Sequence, residues 1–282
     1  MGIFKVNGND LLTTLLGGQS FSWHLINKCC YKSIKINEKD CIIRVQMDEH
    51  VVHAENYIGD FDADQWLSTY IRHEYDVTEL YKTWKINDPK LSFCHIHLLK
   101  QEPLECIIGF ICSSNNNIKR IQKMIQTLCT LFGNLITTIE NVDIYSFPTL
   151  QQLQQVNEDT LRSHGFGYRA KYITDSVAFI IENPKILNLQ NLPYLEAKQQ
   201  LLQLKGVGYK VADCILLMGF GFFDCVPIDV HIKRCIEQKY NIPIKTLSNV
   251  HYDKCQLLLR EKWGDKAGWA HLLAFADMRM KK

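Results

Sequence analysis

No apolar run in this chain approaches the roughly 18 residues that a membrane-spanning helix needs, so no spanning segment is expected. The opening MGIFKVNGND lacks a basic stretch leading into an apolar core, and Val6 stands where a myristoylation signal needs Ser or Thr. Cysteine occurs eleven times but never as a CxxC pair, which argues against zinc ribbons and thiol redox motifs. We expect mostly reduced, buried thiols in an intracellular protein. HExxH and GxxxxGK[ST] are both missing, so zinc-hydrolase and P-loop chemistry have no support. An excess of one charge is missing too. Thirty-two basic against thirty acidic residues leave a net charge of +2, and whole-molecule attraction to a polyanion does not follow.

What remains is an ordinary globular composition, 46% hydrophobic and 22% charged over 282 residues, which suits one large domain or two smaller ones. The charge is unevenly spread: residues 1–102 carry 11 Lys/Arg against 14 Asp/Glu, and residues 103–282 carry 21 against 16. Phosphate affinity therefore belongs to the second part and depends on placement. From Tyr31 to Val52 apolar residues alternate (Ile34, Ile36; Ile43, Val45, Met47), with a turn at Asn37–Asp40; this predicts a strand hairpin. Short helices fit 62–72 and 77–85. Beyond Pro103 the pattern is helical almost throughout: 103–113, a strongly amphipathic helix capped by Asn117 and closed by Gly133, then 158–163, 168–182, 194–204, 209–219, 229–240, 249–262 and 266–280. The expected fold is α+β, with a strand-dominated domain over 1–102 and a helical domain over 103–282.

The segment LLQLKGVGYKVADCILLMGF (201–220) is the most informative. An apolar helix ends at Gly206, GVG turns the chain, and a second helix begins at Tyr209. Gly206 and Gly208 permit a tight reversal and leave backbone N–H groups open to an anion; an ordinary packing joint would look the same. Lys210 lies just past the turn among apolar neighbours. Desolvation and the positive helix end should lower its pKa and free the amine as a nucleophile, unless it simply snorkels to water. Cys214 shares its helix face and would equally serve core packing. Asp229, in VPIDVH, is placed to cap the next helix, and a carboxylate there could also move a proton and stabilise positive charge on a sugar.

LKGVGYKVADC followed by VPIDVH resembles the hairpin and carboxylate of the helix–hairpin–helix base-excision glycosylases. GGQSFSW (17–23), FICSSNNNIKR (110–120), HGFGYRAKY (164–172) and GWAHLLAFADMR (268–279) narrow the likeness to the eukaryotic-type 8-oxoguanine DNA glycosylases, which are also AP lyases. The resemblance implies that Lys210 attacks the sugar C1′, forms a Schiff base and permits β-elimination, while Asp229 assists. It implies a base flipped from the stack and held between Phe275 and Cys214, with the Gly18 carbonyl accepting the N7–H that oxidised guanine has and guanine lacks. An unmatched buried acceptor costs roughly 1–3 kcal/mol, about one to two decades of selectivity. It further implies Asn115, Arg120 and Arg169 around the widowed cytosine, Tyr168 wedged into the vacated stack, and His231 on a phosphate. Each would otherwise pass as a capping or solvated helix residue.

Two departures stand out. The family commonly has Gln where His271 stands, and an imidazole cannot copy an amide's paired acceptor and donors; damage recognition should weaken below the ordinary His pKa of about 6.5. Lys205 replaces a frequent hairpin proline. The carbonyls of Leu202, Leu204 and Val207 are candidates for a monovalent ion bridging to DNA, and no other metal is implied. Cys255 is the only cysteine after Cys235, so the C-terminal four-cysteine iron–sulfur cluster of related pyrimidine glycosylases cannot be built. A non-catalytic phosphate clamp is the rival reading, separated from an enzyme by Lys210 with Asp229. The resemblance implies damaged double-stranded DNA as partner, a monomer, no required cofactor and nuclear residence, the last from the likeness alone, because the closing Met-Lys-Lys is too short to act as an address.

Overall fold

The computed structural model describes residues 3–4, 8–47, 52–91 and 96–280; Val6, Cys94 and the closing Lys281–Lys282 lie outside them. Five antiparallel strands form one sheet in the order β1-β5-β4-β3-β2: β1 (Ile3–Phe4), β2 (His24–Ile26), β3 (Cys29–Ile36), β4 (Lys39–Met47) and β5 (Val52–Ile58). β3 and β4 pair in the hairpin that the alternation predicts, with Cys30 opposite Val45 and Ile34 opposite Cys41. Two-residue turns at Asn27–Lys28 and Asn37–Glu38 join β2 to β3 and β3 to β4. All four residues have positive φ, the geometry that matches strand twist in tight hairpins.

One sheet face buries Cys30, Ile34, Ile43 and Val45 against helices α1 (Gly8–Leu16) and α2 (Ala63–Tyr70), through Leu11, Leu15, Leu67 and Tyr70. The other face, with Ile26, Cys29, Tyr31 and Ile42, is covered by Ile139 and Ile144. Those two belong to a second hairpin, β6 (Leu135–Ile139) and β7 (Val142–Tyr145), in the half expected to be helical almost throughout. Its turn residues Glu140 and Asn141 again have positive φ. Neither this hairpin, α1 nor the separate strand β5 follows from the sequence reading. A strand covered on both faces shows no strict alternation, so the periodicity signal weakens.

The remaining helices are α3 (Val77–Asn87), α4 (Pro103–Cys112), α5 (Ile118–Phe132), α6 (Leu150–Leu153), α7 (Glu158–Ser163), α8 (Arg169–Glu182), α9 (Tyr194–Leu201), α10 (Tyr209–Ile215), α11 (Val230–Tyr240), α12 (Asn249–Trp263) and α13 (Ala267–Met280). Their starts follow local chemistry. The Asn117 side chain accepts the Arg120 N–H at 3.0 Å, Asp76 caps α3 and Ser248 caps α12. α4 is the central helix, buried along eight of its ten residues and packed against α5, α8 and α10. Three helices are shorter than expected, α2 among them, which spans Ala63–Tyr70 rather than 62–72. α9 stops at Leu201, and after Ile215 the chain widens into a π-type turn (Leu216–Phe220) that Gly221 ends at φ +78°. The ten described cysteines are all buried, and no disulfide joins any two of them. No helix among the described residues is long and apolar enough to cross a membrane.

Sheet and helices are joined by polar contacts beside the functional segments. Lys32 of β3 meets Glu105 of α4 at 2.6 Å, and Ser22 of the GGQSFSW loop donates to the same carboxylate oxygen at 2.6 Å. The Gln19 side chain donates to the His97 carbonyl at 2.8 Å and accepts the Leu99 N–H at 3.0 Å. Gln101 Nε2 holds the Gln19 carbonyl at 2.8 Å. The loop that carries Gly18 is therefore fixed from behind.

Candidate active site

α9 and α10 flank the glycine turn. Gly206 sits at φ +79°, and a Cβ there would approach the Tyr172 ring to 2.4 Å; both conditions favour glycine. Gly208, exposed and extended, starts α10 without a side-chain cap. The Leu204 carbonyl accepts the Val207 N–H at 3.2 Å, which leaves it a lone pair for an ion. Among the described residues no cluster of His, Cys, Asp or Glu has metal-ligating form.

Beside the turn a single pocket is lined by Gly17, Gly18, Phe110, Lys210, Cys214, Asp229, His271, Phe275 and Arg279. These come from the GGQSFSW loop, α4, α10, the segment before α11, and α13. Lys210 Nζ lies 5.5 Å from the Phe110 ring centroid. Burial acts to lower the Lys210 pKa, but hydrogen bonding and charge at Cys214 and the Asp229 carboxylate outweigh it, and the net shift is upward. This corrects the expectation of a depressed pKa. Desolvation and helix polarity were legible in the sequence, whereas the counter-charge across the pocket was not. The free protein holds Lys210 as an ammonium. Burial pushes the Cys214 thiol up to about 11, with Lys210 acting against it, so Cys214 is a neutral thiol at physiological pH.

Asp229 does cap α11: its Oδ1 accepts both the His231 and Ile232 N–H groups at 2.9 Å. It also lines the pocket, so capping the helix leaves it at the site. His271 on α13 is 4% exposed and stacks on Phe275 at 6.1 Å. Its Nδ1 has no hydrogen-bond partner. Burial chiefly, with Asp229 opposing and Lys210 reinforcing, lowers its pKa to about 4. The imidazole therefore stays neutral far below pH 6.5, and the expected loss of recognition near that pH is corrected accordingly. His231 packs edge-on against Phe275 at 5.3 Å. Gly18, at φ +104°, lies so close to Ile118 that a Cβ would approach Cδ1 to 2.8 Å.

Ile118 opens α5 directly after the SSNNN loop, which ties the pocket to a second cluster. Tyr168, 43% exposed, donates from its hydroxyl to the Ser114 carbonyl at 3.0 Å. Arg120 donates to the Gly165 carbonyl at 3.3 Å. Arg169, by contrast, is buried: its guanidinium spans the Ser114 and Asn115 carbonyls, the latter at 2.9 Å, and lies 4.5 Å over the Tyr168 ring. A merely solvated Arg169 is excluded; in this state it braces the loop that presents Asn115, itself exposed at φ +46°.

Two residues, one at the pocket and one behind it, escaped the sequence reading. Arg279 donates to the Gly17 carbonyl at 3.0 Å, beside the Gly18 peptide, and only the closure of α13 over the N-terminal loop brings it there. Asp213 was detectable in principle, as the one charged residue in the apolar stretch VADCILL.

A model of the HhH-GPD superfamily of base excision DNA repair proteins matches residues 108–261, and one of the 8-oxoguanine DNA glycosylase N-terminal domain matches residues 3–107. The chain belongs to this glycosylase family. By family it is a bifunctional DNA N-glycosylase and lyase. It is 35% identical to a Saccharomyces cerevisiae N-glycosylase/DNA lyase, over 98% of this chain and 85% of that one. An Arabidopsis thaliana N-glycosylase/DNA lyase is 36% identical over 76% of this chain, which spans 61% of that longer protein. Among solved structures, an 8-oxoguanine glycosylase/lyase of Clostridium acetobutylicum, in complex with DNA bearing cytosine opposite 8-oxoguanine, superposes with a TM-score of 0.85. The two are 28% identical, and the match covers 98% of this chain and 93% of that one.

Proposed function

We propose that this glycosylase binds damaged duplex DNA as a monomer, flips out 8-oxoguanine or its ring-opened form opposite cytosine, and excises it through Lys210. One observation supports this reading above the others: Lys210, Asp229, Cys214, Phe275 and Gly18, dispersed over more than 250 residues of sequence, line one pocket. The Lys210 ammonium first gives up its proton, and the departing base carries one away. Nζ then bonds to C1′ as the C1′–N9 bond breaks. Opening of the sugar ring at O4′ gives the protonated Schiff base, loss of a C2′ proton eliminates the 3′ phosphate, and water releases Lys210. Asp229, beside Nζ, stabilises the positive charge that grows on the sugar.

Phe275 and Cys214 sandwich the base and the Gly18 carbonyl tests its N7 proton. His271, neutral near physiological pH, offers the base edge a single donor or acceptor, according to its tautomer. The Ser113–Asn117 loop with Arg120, Tyr168 and Arg169 faces the estranged cytosine, Gly206, Gly208 and His231 hold phosphate, and a monovalent cation at Leu202, Leu204 and Val207 supports the hairpin. No resident cofactor is needed, and the substrate is nuclear DNA. Incubation with an 8-oxoguanine:cytosine duplex and borohydride should give a covalent complex for the native chain and none for Lys210→Gln. Excision undiminished in Lys210→Gln would overturn the mechanism, and equal excision opposite all four bases would overturn the cytosine preference.

A further inference from the structure

The face of α10 turned away from the pocket carries a second, fully enclosed polar centre. Asp213 is 0% exposed. Its Oδ2 accepts from Tyr252 Oη at 2.6 Å, Gln256 Nε2 at 2.8 Å and Lys198 Nζ at 3.1 Å. The Tyr194 hydroxyl lies 2.9 Å from Oδ1. Lys198, on α9, sits among the rings of Tyr209, Tyr252 and Tyr194 at 4.4, 5.0 and 5.3 Å. The Lys198–Asp213 pair thus clasps the two hairpin helices from behind.

Two of these partners reach further. Tyr252 Oη gives its proton to Asp213 and accepts the Ile228 N–H at 3.1 Å. Gln256 Nε2 uses its second proton on the Val226 carbonyl at 2.9 Å. Tyr252 and Gln256 stand one turn apart on α12, so they suspend alternate residues of the extended segment Val226–Asp229. Asp229 follows directly. One carboxylate therefore links the helix that bears Lys210 to the segment that ends at Asp229.

We propose that Asp213, acting through Tyr252 and Gln256, is a positioning residue that sets the separation of Lys210 and Asp229. This rests on the catalytic roles proposed for that pair. Neither Tyr252 nor Gln256 lines the pocket, so their effect is indirect, and small misplacements of reacting groups cost rate rather than binding.

The test is single-turnover excision from an 8-oxoguanine:cytosine duplex over a range of enzyme concentrations, with thermal melts alongside. Tyr252→Phe keeps the ring and removes both bonds. It should lower the saturating rate by about 10- to 100-fold, leave the half-saturating concentration unchanged and slow borohydride trapping at a preformed abasic site by the same factor. Tyr194→Phe loses the contacts of that hydroxyl with Asp213, Gln256 Oε1 and Lys198 but leaves in place both bonds to the Asp229 segment, from Tyr252 to Ile228 and from Gln256 Nε2 to Val226, and should stay within about threefold of the native rate. Should Tyr252→Phe fail to fold, Gln256→Met severs the Val226 link, with a loss of about 3- to 10-fold expected on the same grounds. A Tyr252→Phe rate matching the native one, or equal slowing in Tyr252→Phe and Tyr194→Phe, would refute the positioning role alone. Absence of excision and trapping in the native chain would remove the proposed function, and this inference with it.

Discussion

α10 separates two lysine–aspartate sites of opposite character. On its rear face the Lys198 ammonium and the Asp213 carboxylate meet at 3.1 Å, and Tyr194, Tyr252 and Gln256 supply further hydrogen bonds. On its front face Lys210 and Asp229 share a pocket with an imidazole whose Nδ1 has no partner and with a thiol held neutral. The rear site is saturated and so has one low-energy arrangement. The front site leaves the buried His271 Nδ1 without a protein partner, which costs stability. The two sites thus differ less in the kind of residue than in how completely its neighbours satisfy it.

The comparison can be broken most severely on the front face. Lys210→Gln should reduce excision and trapping by at least about a thousandfold while the fold survives, as single-turnover assays and circular dichroism would show. On the rear face the effect should fall on stability. Asp213→Ala strands the Lys198 ammonium in the interior and should cost about 3–5 kcal/mol, measured by urea unfolding. If Asp213→Ala were harmless to folding, the claimed saturation would be illusory.

His271 gives an intermediate test. Its folded pKa, lowered to about 4, lies below an unfolded value of about 6.5. As pH falls through 6.5 the unfolded chain takes up the proton first, so His271 costs stability between 6.5 and 4, and the full cost is present below 4. His271→Gln should therefore gain stability relative to the native chain as the pH falls, by about 3 kcal/mol between pH 7.5 and the acid limit. A difference independent of pH would show that the imidazole titrates normally. The smallest effect belongs to the turn joining the two lysine helices: Gly206→Ala must adopt φ +79° beside Tyr172 and should cost about 1–3 kcal/mol, seen as a lower melting temperature.

Much of the helical half was legible residue by residue. Asn117 and Asp229 each cap the helix they were assigned, because capping depends on a side chain and N–H groups two or three residues away. The 158–163 helix falls where its pattern predicts, and the β3–β4 hairpin forms around the expected turn. Leu135–Tyr145 was lost because its apolar residues answer to the distant Ile26 and Ile42, a partnership no local window contains. Lys210 shows the same limit in electrostatics. Its burial could be read from Val211 and Ile215, but the sign of its pKa shift came from the balance struck by Cys214, one turn along, and Asp229, nineteen positions further along the chain.

The sequence by itself determined the glycine turn, the helix caps and the set of side chains that resembles a glycosylase, since each depends on neighbours only a few residues away. Tertiary structure alone decided that Lys210 rests as an ammonium, that His271 stays neutral, that Arg169 braces a loop and that Asp213 joins the Lys210 helix to the Asp229 segment. Those outcomes turn on through-space distance and on exclusion of water, and neither exists until the chain has closed on itself.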